Sequence, residues 1–143
     1  MKSRIHFTSP KGCAEEVAEA IAREMRQPKE PLPPAYMPEQ CVMMYLGCEE
    51  SGGKIDKVMN AFISTMDNKR VFNAALFTCS PKGTHATADA IKAVLEGKGI
   101  KVMDEILVTN GKGGLFQGGK RPDQADFEKA AKWARAQEAK VIK

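Results

Sequence analysis

The 143-residue chain has 22 lysines and arginines against 18 aspartates and glutamates, a net charge of +4, with 43% hydrophobic and 28% charged residues. Those proportions suit one globular domain and argue against intrinsic disorder, and the mild, dispersed positive charge points away from nucleic acid. No apolar run approaches the roughly 20 residues of a membrane helix, and none follows the charged N-terminus as a signal peptide would require, so the expectation is a cytoplasmic protein with no membrane insertion.

In chain order, residues 5–8 read as a strand stopped by Ser9-Pro10. Val17, Ile21 and Met25 then recur every four residues beside Ala18 and Ala22, which predicts a helix over 13–25 with Glu15 and Glu16 suited to its dipole. Pro28, Pro31, Pro33, Pro34 and Pro38 follow, so residues 32–36 form at most an edge strand or an extended connection. Residues 41–46 are apolar throughout, as in a strand buried on both faces, and 47–53 read as a loop. Ile55, Val58, Met59, Phe62, Ile63 and Met66 give the clearest helical face. A turn at 67–69, a strand over 71–78 and a loop at 80–84 come next. Ala88, Ile91, Val94 and Leu95 mark a third helix ended by Gly97 and Gly99. Residues 100–108 read as the last strand, 110–121 as a glycine-rich loop, and Pro122 opens a final helix with a face of Phe127, Ala130, Ala131 and Ala134.

Strand–helix alternation with short connections predicts a single α/β domain over 1–143, a three-layer, doubly wound, parallel five-stranded sheet. Ligands of such sheets bind beyond the carboxyl ends of the strands. Of the 12 glycines only Gly97 and Gly99 fall at the opposite edge. The others follow strand ends: Gly12, then Gly47, Gly52 and Gly53, then Gly83, then Gly111, Gly113, Gly114, Gly118 and Gly119. Lys11, Lys54, Lys82, Lys112 and Lys120 accompany them. One tetrapeptide occurs twice, Ser9-Pro10-Lys11-Gly12 and Ser80-Pro81-Lys82-Gly83, each time between a strand and a helix. Backbone N–H groups, hydroxyls and lysines at a helix start favour an anion, so the pattern points to a phosphate-bearing or otherwise anionic small ligand. Neither a P-loop nor a Rossmann glycine motif is present.

The segment from Phe7 through Ser9-Pro10-Lys11-Gly12-Cys13-Ala14 to Ala18 resembles the phosphate loop of the flavodoxin-like family. Phe77-Thr78-Cys79-Ser80 resembles that family's fourth-strand ending, and Gly119 through Trp133 its closing helix. The resemblance spans nearly the whole chain. It implies strand order 2-1-3-4-5 and FMN as cofactor. The FMN phosphate would sit at Thr8, Ser9, Pro10, Lys11, Gly12, Cys13 and Ala14. The ring would lie between Leu46, Gly47, Cys48, Glu49, Gly52 and Gly53 on one side and Thr78, Cys79, Ser80, Gly83, Thr84 and His85 on the other. It also implies an electron carrier or accessory redox subunit rather than a stand-alone enzyme, working with a reductase partner.

The alternative is a flavin-free accessory or binding module of the same fold. It is favoured because the family's two phosphate-loop threonines fall on Lys11 and Ala14, and because residues 47–54 and 79–87 hold no Phe, Tyr or Trp to stack on a flavin. Cys13, Cys48 and Cys79 would end strands or open helices in neighbouring loops, as a thiol or metal cluster or as small semi-buried residues. With no paired spacing among the four cysteines, reduced thiols are expected. Glu49-Glu50 read either as contacts to a ring N–H or as solvated acids, and His85 either as a hydrogen-bond partner of an anion or flavin edge or as a surface loop histidine.

Overall fold

The computed structural model describes residues 2–109 and 122–141. The glycine-rich segment with Gly111, Gly113, Gly114, Gly118, Gly119, Lys112 and Lys120 lies outside the described residues. The elements run β1 (Ser3–Phe7), α1 (Cys13–Met25), β2 (Lys29–Pro31), β3 (Met43–Glu49), α2 (Lys57–Ser64), β4 (Asn73–Cys79), α3 (Ala86–Gly97), β5 (Lys101–Val102), β6 (Leu107–Thr109) and α4 (Gln124–Val141). All pairings are parallel, in the order β2-β1-β3-β4, with β5 and β6 both on the far side of β4.

Two expectations shift. The edge strand lies at Lys29–Pro31, just ahead of residues 32–36, where it pairs with Ile5, His6 and Phe7. The single last strand is two short ones, so the described residues form six strands where five were expected. β5 pairs with Asn73 and Ala74, and β6 with Phe77, Thr78 and Cys79. Between them the exposed Asp104-Glu105 pair leaves the sheet, and the Glu105 carbonyl accepts the Trp133 indole N–H at 3.0 Å. A hydrogen bond to α4 thus replaces sheet pairing where two acids disfavour a strand.

The sheet divides two cores. Ile5, Phe7, Met43, Tyr45, Ala75 and Phe77 pack with α1 and α4, while Met44, Leu46, Ala74 and Leu76 pack with α2 and α3. Trp133 meets the edges of Tyr45 and Phe77 at centroid distances of 5.8 and 6.2 Å, contacts that contribute about 0.5–1.5 kcal/mol each beyond burial. The buried Tyr45 hydroxyl donates to the Ala134 carbonyl at 2.9 Å. Asp56 caps α2 by accepting from the Met59 N–H. Asp123 and Asp126 cap the start of α4 reciprocally, each carboxylate accepting the other's N–H.

Strand parity positions the functional edge. Side chains alternate between faces, so Tyr45, Gly47 and Glu49 of β3 belong to the α1/α4 side and Leu46 and Cys48 to the α2/α3 side.

Candidate functional site

The first Ser-Pro-Lys-Gly turn leaves β1 and closes with the Gly12 N–H on the Ser9 carbonyl at 3.2 Å. Gly12 has φ 88°, a left-handed conformation that a side chain would strain, and α1 starts at the next residue. The turn therefore delivers the first amides of α1 to the sheet edge, where the helix dipole favours negative charge. That charge is supplied from within the chain. One carboxylate oxygen of Glu49 accepts the Ser9 hydroxyl at 2.7 Å and the N–H groups of Cys13 and Ala14 at 3.0 and 3.2 Å. The other accepts the Lys11 N–H at 2.8 Å. Ser9 Oγ in turn accepts the Glu15 N–H at 2.9 Å. The Thr8 hydroxyl beside them is buried with no hydrogen-bond partner in the structure.

Glu50 serves the opposite face. Its carboxylate accepts the N–H groups of Gly52 and Thr87 and the Thr87 hydroxyl. Thr87 Oγ1 also accepts the Ser51 and Gly53 N–H groups, which folds the 50–53 loop onto the start of α3. Burial is the largest single influence on Glu50 and opposes ionisation. The Thr87 and Gly52 amides, the Thr87 hydroxyl and the Gly53 amide together outweigh it and hold the carboxyl below the ordinary range. The two acids at the end of β3 thus reach the N-termini of two helices on opposite sides of the sheet.

The second Ser-Pro-Lys-Gly turn repeats the backbone of the first, with the Gly83 N–H on the Ser80 carbonyl at 3.0 Å and Gly83 at φ 78°. Ser80 Oγ lies 3.3 Å from Thr84 Oγ1, and His85 Nδ1 lies 3.0 Å from Asp89 on α3.

No protein-family model matches the sequence, and no curated protein matches it. Solved structures do match. The chain superimposes on oxidised flavodoxin 2 from Bacillus cereus with a TM-score of 0.71 at 19% identity, over 98% of this chain and 99% of that one. A flavodoxin from the domain Archaea gives 0.74 at 16% identity, over 99% of each chain. The flavodoxin of Streptococcus pneumonia TIGR4 gives 0.70 at 16% identity, over 99% of this chain and 100% of that one. The fold is that of the flavodoxins.

Ser9, Lys11, Gly12, Cys13 and Ala14 thus form one loop around a single oxyanion, with one hydroxyl and three backbone amides as donors to the Glu49 carboxylate. Pro10 and the Lys11 side chain face solvent. The ring side differs from expectation. β3 continues through Glu49, so Leu46, Gly47 and Cys48 are buried strand residues and the loop starts only at Glu50. Gly47 makes room for a core ring, since a Cβ there would lie 2.1 Å from Phe77. Thr78, Cys79 and Ser80 are buried too, whereas Gly52, Gly83, Thr84 and His85 are exposed and Gly53 is half-buried.

The cysteines also correct the sequence reading. Cys13 and Cys79 form a disulfide across 66 residues of chain, in place of the reduced thiols expected. Cys79 pairs with Glu49 in the β3–β4 register, so it sits beside the first turn of α1, where Cys13 lies. Cys48 is on the other sheet face and donates to Thr78 Oγ1, so no three-sulfur cluster assembles. Burial pushes the Cys48 and Cys41 thiols up to about 11, which leaves them protonated and poor nucleophiles.

A cavity of about 440 Å³ adjoins the first turn, bounded by Phe7, Thr8, Ser9, Pro10, Leu32 and Val58. A larger one of about 760 Å³ lies along the α1–α4 groove, lined mainly by helix-surface residues such as Glu16, Arg23 and Phe127. The smaller one is the better candidate, because it opens at the strand ends beside the oxyanion loop. Thr87 was absent from the expected site, and Glu50 was read only as a ring contact or a solvated acid, not as the partner of Thr87. The sequence signal that could have found them is the parity of Glu49-Glu50 at a strand end, which sends consecutive acids to opposite faces.

Proposed function

We propose that the chain is an FMN-binding electron-transfer module that serves a reductase partner. The observation that carries this reading is the 9–14 loop, which already holds an oxyanion through the Ser9 hydroxyl and the Lys11, Cys13 and Ala14 amides. The solved flavodoxins of the same fold add support at the level of architecture. When bound, FMN would supply the one- and two-electron chemistry. The chain's own part is to bind and orient. The first turn would take the phosphate, with the Lys11 ammonium close enough in sequence to add charge. The 50–53 loop, stiffened by Glu50 and Thr87, would border the ring on one side and residues 81–85 on the other. Titration of the purified chain into FMN tests this. The expected result is quenched flavin fluorescence saturating at one FMN per chain, and no quenching would count against it.

The flavin-free module is the second reading. Two observations favour it: Glu49 fills the phosphate loop, and neither ring-side loop offers a Phe, Tyr or Trp side chain. In that case the same titration gives no uptake under any redox condition.

A further inference from the structure

We propose that Glu49 is an intramolecular competitor for the phosphate loop, so that an external phosphoryl group enters only after the Glu49 carboxylate leaves. The inference rests on the FMN reading only for the identity of the natural ligand. The donors are few and shared. The Ser9 hydroxyl and the Lys11, Cys13 and Ala14 amides all point at Glu49, so a phosphate using them meets a carboxylate already in place. Two anions in one such loop repel each other, so binding of one excludes the other.

The loop itself has little freedom to open around both. Its helix start is tied by Cys13–Cys79 to the strand position that pairs with Glu49. Gly12 fixes the turn, and the Glu15 N–H holds Ser9 Oγ from behind. The Glu49 side chain is the part that can move. It is only half-buried, and it extends from the last residue of β3, where rotation about its own bonds carries the carboxylate to solvent without disturbing the sheet. Glu50 is not the competitor, because parity commits it to Thr87 on the other face.

The test uses inorganic phosphate as the probe and the disulfide-intact chain. Backbone amide resonances of Lys11, Cys13 and Ala14 are followed while phosphate is titrated into the wild type, Glu49→Ala and Glu49→Gln. Half-saturation in Glu49→Ala is expected at a concentration at least about 10-fold lower than in the wild type, with Glu49→Gln between them. Glu49→Gln keeps the shape of the side chain and serves alone should the alanine variant not fold. Equal half-saturation in all three proteins, or no response of those amides in any, overturns the proposal. FMN and riboflavin form a parallel arm, with FMN affinity expected to rise in the variants and riboflavin affinity to stay unchanged. If phosphate responds as expected and FMN binds none of the proteins, Glu49 remains the competitor and the FMN reading falls. If FMN binds all of them alike and the phosphate curves coincide, the FMN reading stands and the competitor falls.

Discussion

The chain writes Ser-Pro-Lys-Gly twice, and the two copies fold alike but end differently. Both close a turn between serine carbonyl and glycine N–H, and both hold glycine at positive φ. After Gly12 the helix begins at once, so the amides of Cys13 and Ala14 join that of Lys11 on one carboxylate. After Gly83 two more residues intervene, Ser80 Oγ turns to Thr84, and α3 takes its acid, Glu50, further along at Thr87. In this chain the turn that the helix follows without a spacer gathers its amides on one carboxylate, and the turn with a two-residue spacer takes its acid further along the helix. The backbone conformation is common to both copies, and the register of the helix decides which amides converge.

The disulfide joins these regions, since Cys13 directly follows the first turn and Cys79 directly precedes the second. Breaking it should have the largest effect. Closing 66 residues of chain contributes about 2–4 kcal/mol by restricting the unfolded state, so the Cys13→Ala, Cys79→Ala double variant should lose that much in urea unfolding. The wild type should lose a similar amount on addition of a dithiol reductant, and the variant should be insensitive to it.

Next in size is the carboxylate that fills the first turn. Glu49→Ala should cost about 1–2 kcal/mol, in the range of a lost helix cap, whereas Ser80→Ala in the second turn should cost under about 1 kcal/mol. Equal losses would erase the distinction between the turns. Gly12→Ala and Gly83→Ala probe what the turns share, the left-handed glycine, and each should destabilise by about 1 kcal/mol. At Gly83 a Cβ meets open space, so its loss would be purely conformational.

The smallest effect is a pH dependence at Glu50. Its folded pKa lies below the ordinary value, so the folded state binds fewer protons than the unfolded one as the carboxyl titrates. Its contribution is present above the ordinary carboxylate range and fades as pH falls through the lowered folded pKa. Thermal midpoints of wild type and Glu50→Gln should therefore converge on acidification.

Much of this frame was legible in the sequence. The spacing of Val17, Ile21 and Met25 gave α1 over its observed span, and the apolar segment at 41–46 and the mostly apolar one at 71–78 marked the two central strands, which need burial on both faces. What was less legible depends on contacts distant in sequence. The Cys13–Cys79 bond needs the β3–β4 register to bring Cys79 to α1, and the split of the last strand needs Trp133 to claim the Glu105 carbonyl. Gly47 looked like a ligand glycine because glycine at a strand end serves either close ligand approach or close packing, and only the Phe77 ring settles which. Glu49 was read as a ring contact or a solvated acid, though its strand parity points to α1.

The most direct measurement is a crystal structure of Glu49→Ala grown with inorganic phosphate. A phosphate should be held by the Ser9 hydroxyl and the Lys11, Cys13 and Ala14 amides, with none at the Ser80–Gly83 turn. A first turn that stays empty, or a phosphate seated at the second turn instead, would contradict that expectation.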